Sequence, residues 1–129
     1  MIFQWSKAQE KTLCETIVQR LLFKYGQTIL IISPNKKSQD RLRDMVETQY
    51  RATGFNDITG LLRGEIRFTN DSRVLFRIAA GISLGCGLAC SLVVFNEAEK
   101  IKEKLLNELL ICMAPVSSEI VICLNSPEG

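Results

Sequence analysis

The sequence predicts an α/β fold in which helices cover a mostly parallel central sheet, and three observations carry that prediction. Apolar runs at residues 28–33, 91–95 and 119–124 are too short for core helices and apolar on both faces, the pattern of buried parallel strands. Segments of helical periodicity lie between them, so successive strands join through crossovers. The chain has 129 residues, 47% hydrophobic and 23% charged, which suits one domain with a substantial core.

Each element has its own signal. Ile2 to Trp5 reads as the end of a short strand. Residues 12–23 place Leu13, Ile17, Leu21 and Leu22 on one helical face, and Tyr25-Gly26-Gln27 stops that helix. The apolar strand at 28–33 turns at Pro34-Asn35, and Ser38 is the expected N-cap of a second helix reaching about Ala52. Residues 54–60 are expected as loop. Residues 65–68 and 74–78 read as paired strands joined by Thr69-Asn70-Asp71-Ser72, a hairpin signal. Residues 79–90 form a loop rich in glycine and small side chains, leading into the strand that ends at Asn96. An amphipathic helix is expected over about 98–112. A last strand at 119–124 ends in Asn125-Ser126-Pro127-Glu128-Gly129.

Composition removes several function classes. The chain has no histidine, which excludes histidine acid–base chemistry and histidine metal ligands. A net charge of +2 is too small to imply a nucleic-acid partner by itself. No apolar run approaches the roughly 20 residues that span a bilayer, and the first residues do not form a signal peptide. Five cysteines, an odd number set mostly in apolar segments, suit buried free thiols. Cys86 and Cys90 are spaced too widely for a zinc knuckle and have no second pair, so no metal site is expected there. The basic residues Lys36, Lys37, Arg41 and Arg43, and the alternating Lys100, Lys102 and Lys104, read as solvated helix faces.

Three places could carry chemistry. The strand Leu92-Val93-Val94-Phe95 runs straight into Asn96-Glu97-Ala98, and ligands of open α/β sheets bind just beyond the carboxyl ends of strands. Glu97 delivered there suits a general base or a group near a metal ion. Ser6-Lys7-Ala8-Gln9-Glu10-Lys11-Thr12 lies between a strand and a helix, where backbone N–H groups and a helix N-terminus favour a phosphate. Lys11 and Thr12 fit the last two positions of G-x-x-x-x-G-K-[ST], but the glycine positions hold Trp5 and Glu10. The third is the polar ending after residue 124. There is no G-x-G-x-x-G signal for a dinucleotide-binding domain.

In their order and spacing these pieces resemble the ATPase domain of the large terminase subunit, the DNA-packaging motor of tailed phages and herpesviruses. The resemblance covers nearly the whole chain. That family's phosphate loop reads like S-R-Q-x-G-K-[ST], and residues 6–12 fall on it position for position, with Lys7 at the family's arginine. Its acidic motif, an apolar strand ending in Asp-Glu-Ala, corresponds to Asn96-Glu97-Ala98, and its coupling motif to Asn125-Ser126-Pro127-Glu128-Gly129. The hairpin at 64–68 and the following glycine loop also look like the family.

The resemblance implies a single domain over 1–129 with a three-layer P-loop NTPase-like fold, a mostly parallel sheet, a β-hairpin insertion and no nuclease domain. It implies ATP bound by Ser6, Lys7, Gln9, Lys11 and Thr12, and Mg2+ held by Thr12 and, through water, Asn96. Glu97 and Lys7 would be the catalytic residues, and Asn125 and Ser126 would couple hydrolysis to movement. The implied partners are double-stranded DNA, the portal and the small terminase, with a possible homo-oligomer and no membrane, in the host cell cytoplasm. Two departures weaken this activity. Glu10 stands where glycine lets the backbone wrap phosphates, and its charge at about 4 Å would oppose the nucleotide by roughly 1 to 4 kcal/mol. Asn96 stands where an aspartate helps hold the metal shell. Hydrolysis is therefore expected to be impaired. The alternative is a catalytically silent α/β interaction module or a decayed fragment of such a terminase.

Overall fold

The computed structural model describes residues 2–7, 10–54, 58–62, 64–82 and 89–124, with side chains from residue 12 onward. Its elements run β1 (Ile2–Lys7), α1 (Glu10–Phe23), β2 (Thr28–Ser33), α2 (Lys36–Ala52), β3 (Ile58–Leu62), β4 (Glu65–Phe68), β5 (Arg73–Ile78), β6 (Leu92–Phe95), α3 (Glu103–Met113) and β7 (Glu119–Leu124). One seven-stranded sheet has the order β1-β7-β6-β2-β5-β4-β3. The strands from β1 through β5 in that order are parallel, and β4 and β3 continue the sheet as an antiparallel arm. The expected α/β class, parallel core and hairpin are all present.

Alternation along the central strands divides the interior into two cores. Ile29, Ile31, Leu92, Val94, Val74 and Phe76 pack against Leu13, Ile17 and Leu21 of α1 and Leu42, Val46 and Tyr50 of α2. On the other face Leu30, Ile32, Val93, Phe95 and Ile122 pack against Leu109 and Met113 of α3. The two helices on one face and one on the other complete three layers.

Several boundaries differ from the sequence expectation. Parallel pairing with β7 carries β1 on to Lys7, and α1 begins at Glu10. Asn35, not Ser38, caps α2: its extended backbone lets Oδ1 accept from the Ser38 N–H at 2.9 Å. Ser38 thus becomes the third residue of the helix, with its side chain turned inward. Part of the expected loop at 54–60 is strand, because β3 takes its hydrogen bonds from β4 despite Gly60 and the irregular register beside it. The expected helix over 98–112 is broken. Ala98–Lys100 forms one 3-10 turn, Ile101 is extended and buried in the core, and α3 starts only at Glu103.

At the amino ends of the strands the turns are tied together. Asn70 Nδ2 donates to the Leu21 and Lys24 carbonyls at 3.0 and 3.1 Å, closing the end of α1 from across the hairpin. Its Oδ1 accepts from Ser72 N–H, and its own carbonyl accepts from Gly26 N–H. Asn70→Ala removes the side-chain bonds together and is expected to lower unfolding free energy by about 1–3 kcal/mol. Urea unfolding checks this; an unchanged midpoint would show that the clamp contributes nothing.

Candidate functional site

Because β1, β7, β6 and β2 run parallel, their carboxyl ends share one edge of the sheet. The register aligns Lys7 with Leu124, Ile122 with Phe95, and Phe95 with Ile32. Residues following Phe95 therefore emerge beside the ends of β7 and β2. β1 lies two strand spacings from β6, about 10 Å across the sheet.

The sequence-derived candidates distribute unevenly over this edge. Ser6 and Lys7 end β1, and Lys11 and Thr12 occupy the first turn of α1, where Thr12 is exposed. Gln9, Cys86, Asn125 and Ser126 lie outside the described residues. Asn96 and Glu97 directly follow β6 and are both buried.

Asn96 is bound to the neighbouring strand and helix. Its Nδ2 donates to Ser33 Oγ at 3.2 Å and to the Ser38 carbonyl at 3.4 Å. The second contact needs a donor, which an ionised aspartate lacks. Asparagine at this position thus has a structural reason.

Glu97 adopts left-handed backbone angles, φ 50 and ψ 50, a region that non-glycine residues enter only under local constraint. Its side chain is 4% exposed, and Oε1 lies 2.7 Å from the Lys100 ammonium. Burial pushes its carboxyl pKa upward. Hydrogen bonds from Lys100 and the Ser38 side chain, with the positive charges of Lys100 and Arg41, outweigh that and hold it below the ordinary 4.5. The Lys100 ammonium is in turn held above its usual range, chiefly by Glu97.

The residues fit a bound nucleotide in one part only. The amino end of α1, at the carboxyl end of β1, suits phosphate oxygens, and Thr12 is exposed there. The metal side fits less well, since Asn96 is buried with its amide nitrogen committed to Ser33 and Ser38. No cluster of three or more cysteine or acidic side chains suited to a metal occurs among the described residues. A groove of about 700 Å3 runs between α1 and α2, lined by Val18, Leu22, Phe23, Gln49, Ala52 and Thr53. Most of its lining lies toward the carboxyl ends of the two helices, although Glu15 brings it within one turn of Thr12.

Sequence reasoning did not single out Lys100, Ser33 or Ser38 as site residues. Lys100 is exposed, as expected, and also pairs with a buried carboxylate; its i, i+3 spacing from Glu97 was the available signal. Arg43 likewise does more than face water, donating to the Leu62 carbonyl and lying over the Phe76 ring. No helix among the described residues is long and apolar enough to cross a membrane.

No family model and no curated protein matches the sequence. Solved structures do resemble the fold. The large terminase ATPase domain of Thermus phage P74-26 superposes with a TM-score of 0.61 at 15% identity, over 97% of this chain and 60% of that one. The large terminase of another thermophilic bacteriophage superposes with a TM-score of 0.61 at 13% identity, over 95% of this chain and 33% of that one. The ADP complex of that second terminase gives 0.57 at 9% identity. The chain thus has the fold of large terminase ATPase domains and spans less than two thirds of those proteins.

Two outcomes follow from the geometry around β6. A lowered native pKa means the unfolded chain binds more protons in acid, so stability rises with pH. The contribution of Glu97 is complete above about 4.5 and is lost as pH falls through its lower native value. Urea unfolding should therefore show a shallower acid loss for Glu97→Gln than for the unchanged protein; equal slopes would contradict the assignment. Asn96→Asp, which exchanges a donor for a charge facing the Ser38 carbonyl, should cost about 1–3 kcal/mol at neutral pH by the same method.

Proposed function

We propose that this chain is the nucleotide-binding core of a DNA-packaging-motor ATPase of the large terminase type, with weak or absent hydrolysis. The observation that supports it best is the strand order β1-β7-β6-β2, with its parallel register. That order sets side by side the three strands that precede Lys11-Thr12, Asn96-Glu97 and Asn125-Ser126 in the sequence, β1, β6 and β7. The ADP complex of a similar fold supports a nucleotide as the ligand class.

In this reading ATP phosphates lie at the β1–α1 junction. Ser6, Gln9 and the helix amides hydrogen-bond to them, and Lys11 and Lys7 neutralise their charge. Thr12 and Asn96 would belong to a magnesium shell, and the ion when bound would offset charge on the phosphate oxygens. Glu97 would orient a water for in-line attack. Asn125 and Ser126 would sense the phosphate and transmit its loss. Double-stranded DNA, portal and small terminase are the partners this reading implies, with self-association through the β1 edge and action in the host cytoplasm.

A second reading, a silent module retaining the fold, is favoured by the state of the β6 end. Asn96 and Glu97 are both engaged by other groups of the chain.

Calorimetric titration of magnesium-ATP separates the two. Glu10→Gly should tighten binding by about tenfold or more, in keeping with removal of one charge beside the phosphates, and Lys11→Ala should abolish it. Absence of binding in both the folded parent chain and Glu10→Gly would sink the nucleotide reading and leave the silent module.

A further inference from the structure

The carboxyl halves of α1 and α2 set a hole and a knob side by side. The hole is the groove of about 700 Å3 between the two helices, lined by apolar Val18, Leu22 and Ala52 and by polar Glu15, Gln19 and Gln49. Glu15 is the one charged side chain in that lining among the described residues. The knob is Phe23, which borders the groove yet is 79% exposed. Tyr25, two residues on, is 73% exposed.

The turn that bears these aromatic rings is held on both sides. Lys24 N–H donates to the Arg20 carbonyl at 3.0 Å, and the Lys24 carbonyl accepts from Asn70 Nδ2 at 3.1 Å. Gly26 N–H donates to the Asn70 carbonyl at 3.0 Å, and the Tyr25 hydroxyl donates to Asp71 at 2.6 Å. A backbone fixed in this way loses little freedom when its side chains are covered, so the exposed apolar area is available for association.

A knob and a hole on one surface are self-complementary under a two-fold axis. Phe23 follows Glu15 by eight residues, about 12 Å along α1. An axis crossing α1 near Gln19 runs the α1 helices of two copies antiparallel. Each Phe23 then meets the Glu15 and Val18 end of the other copy's groove. Lys24 comes opposite Glu15, so the acidic lining of the groove is matched by the lysine beside the knob.

We propose that this face is a docking surface for a second copy of the chain, joined as an isologous dimer through Phe23. The groove, about 12 Å long between helices roughly 10 Å apart, lies at the small end of specific interfaces. The dimer therefore forms at micromolar chain concentrations and above. It uses a helical face instead of a sheet edge, and it does not depend on the nucleotide reading.

Sedimentation velocity of the whole chain from about 5 to 500 μM tests this, a range that brackets the affinity expected of so small a contact. Phe23, Glu15 and Lys24 are all exposed, so their variants keep the fold, as urea unfolding would check. The parent chain should pass from monomer to dimer, and Phe23→Ser should weaken dimerisation at least tenfold. Glu15→Lys and Lys24→Glu should each weaken it severalfold, and the two together should recover most of the loss. A parent chain that stays monomeric over the whole range overturns the proposal. So does self-association that Phe23→Ser leaves unchanged, the result that strand-edge pairing would give. A double charge variant no tighter than either single one overturns the antiparallel arrangement.

Discussion

The parallel pairing of β2 with β6 is the constraint on which the rest of the structure depends. Ile29 through Ile32 and Leu92 through Phe95 are all buried, and the two hydrophobic cores meet on these strands from opposite faces. A strand apolar on both faces offers no position for a functional polar group along its length. Polar side chains must therefore gather where the strands end. Asn96 and Glu97 follow Phe95 without an intervening residue for that reason, and the Asn96 N–H still joins the ladder by donating to Ile32 at 2.8 Å.

The two ends of this sheet differ in how their polar groups are used. At the amino ends, Asn70, Ser72, Gln27 and Gly26 bond one turn to another, joining the hairpin to the end of α1. Those bonds are internal and leave little surface chemistry. At the carboxyl ends, Ser38 is the shared element: its N–H is held by Asn35, its carbonyl accepts from Asn96, and its side chain serves Glu97. One residue in the first turn of α2 thereby fixes the helix start and the turn after β6 together. Because that turn also bears the proposed water-orienting carboxylate, the cap of α2 and the state of the site are coupled.

This coupling gives a physical account of a residue that looked like damage. Read against a motif ending in Asp-Glu, Asn96 is a lost charge. Within the fold it is a buried donor facing a backbone carbonyl, next to a carboxylate that already requires Lys100. A second carboxylate there would face the Ser38 carbonyl and add like charge beside Glu97. Similarity to large terminase ATPase domains lies in the fold.

Much of the fold was legible because its signals are local. The runs at β2, β6 and β7 show strands directly, and the alternation of strand and helix dictates a parallel sheet. Elements set by distant partners were not legible in the same way. β3 is a strand because β4 lies beside it, and α3 starts late because Ile101 is drawn into the core. For the candidate site, the residue types at 96 and 97 and their place at a strand end were determined by the sequence itself, since an apolar run must end where polar groups begin. Which way those side chains point was decided only by tertiary structure. That depends on α2 returning over β2 to set Ser38 beside β6, a contact that no spacing of residues along the chain contains, and on a left-handed turn at Glu97 that brings Lys100, three residues on, within reach.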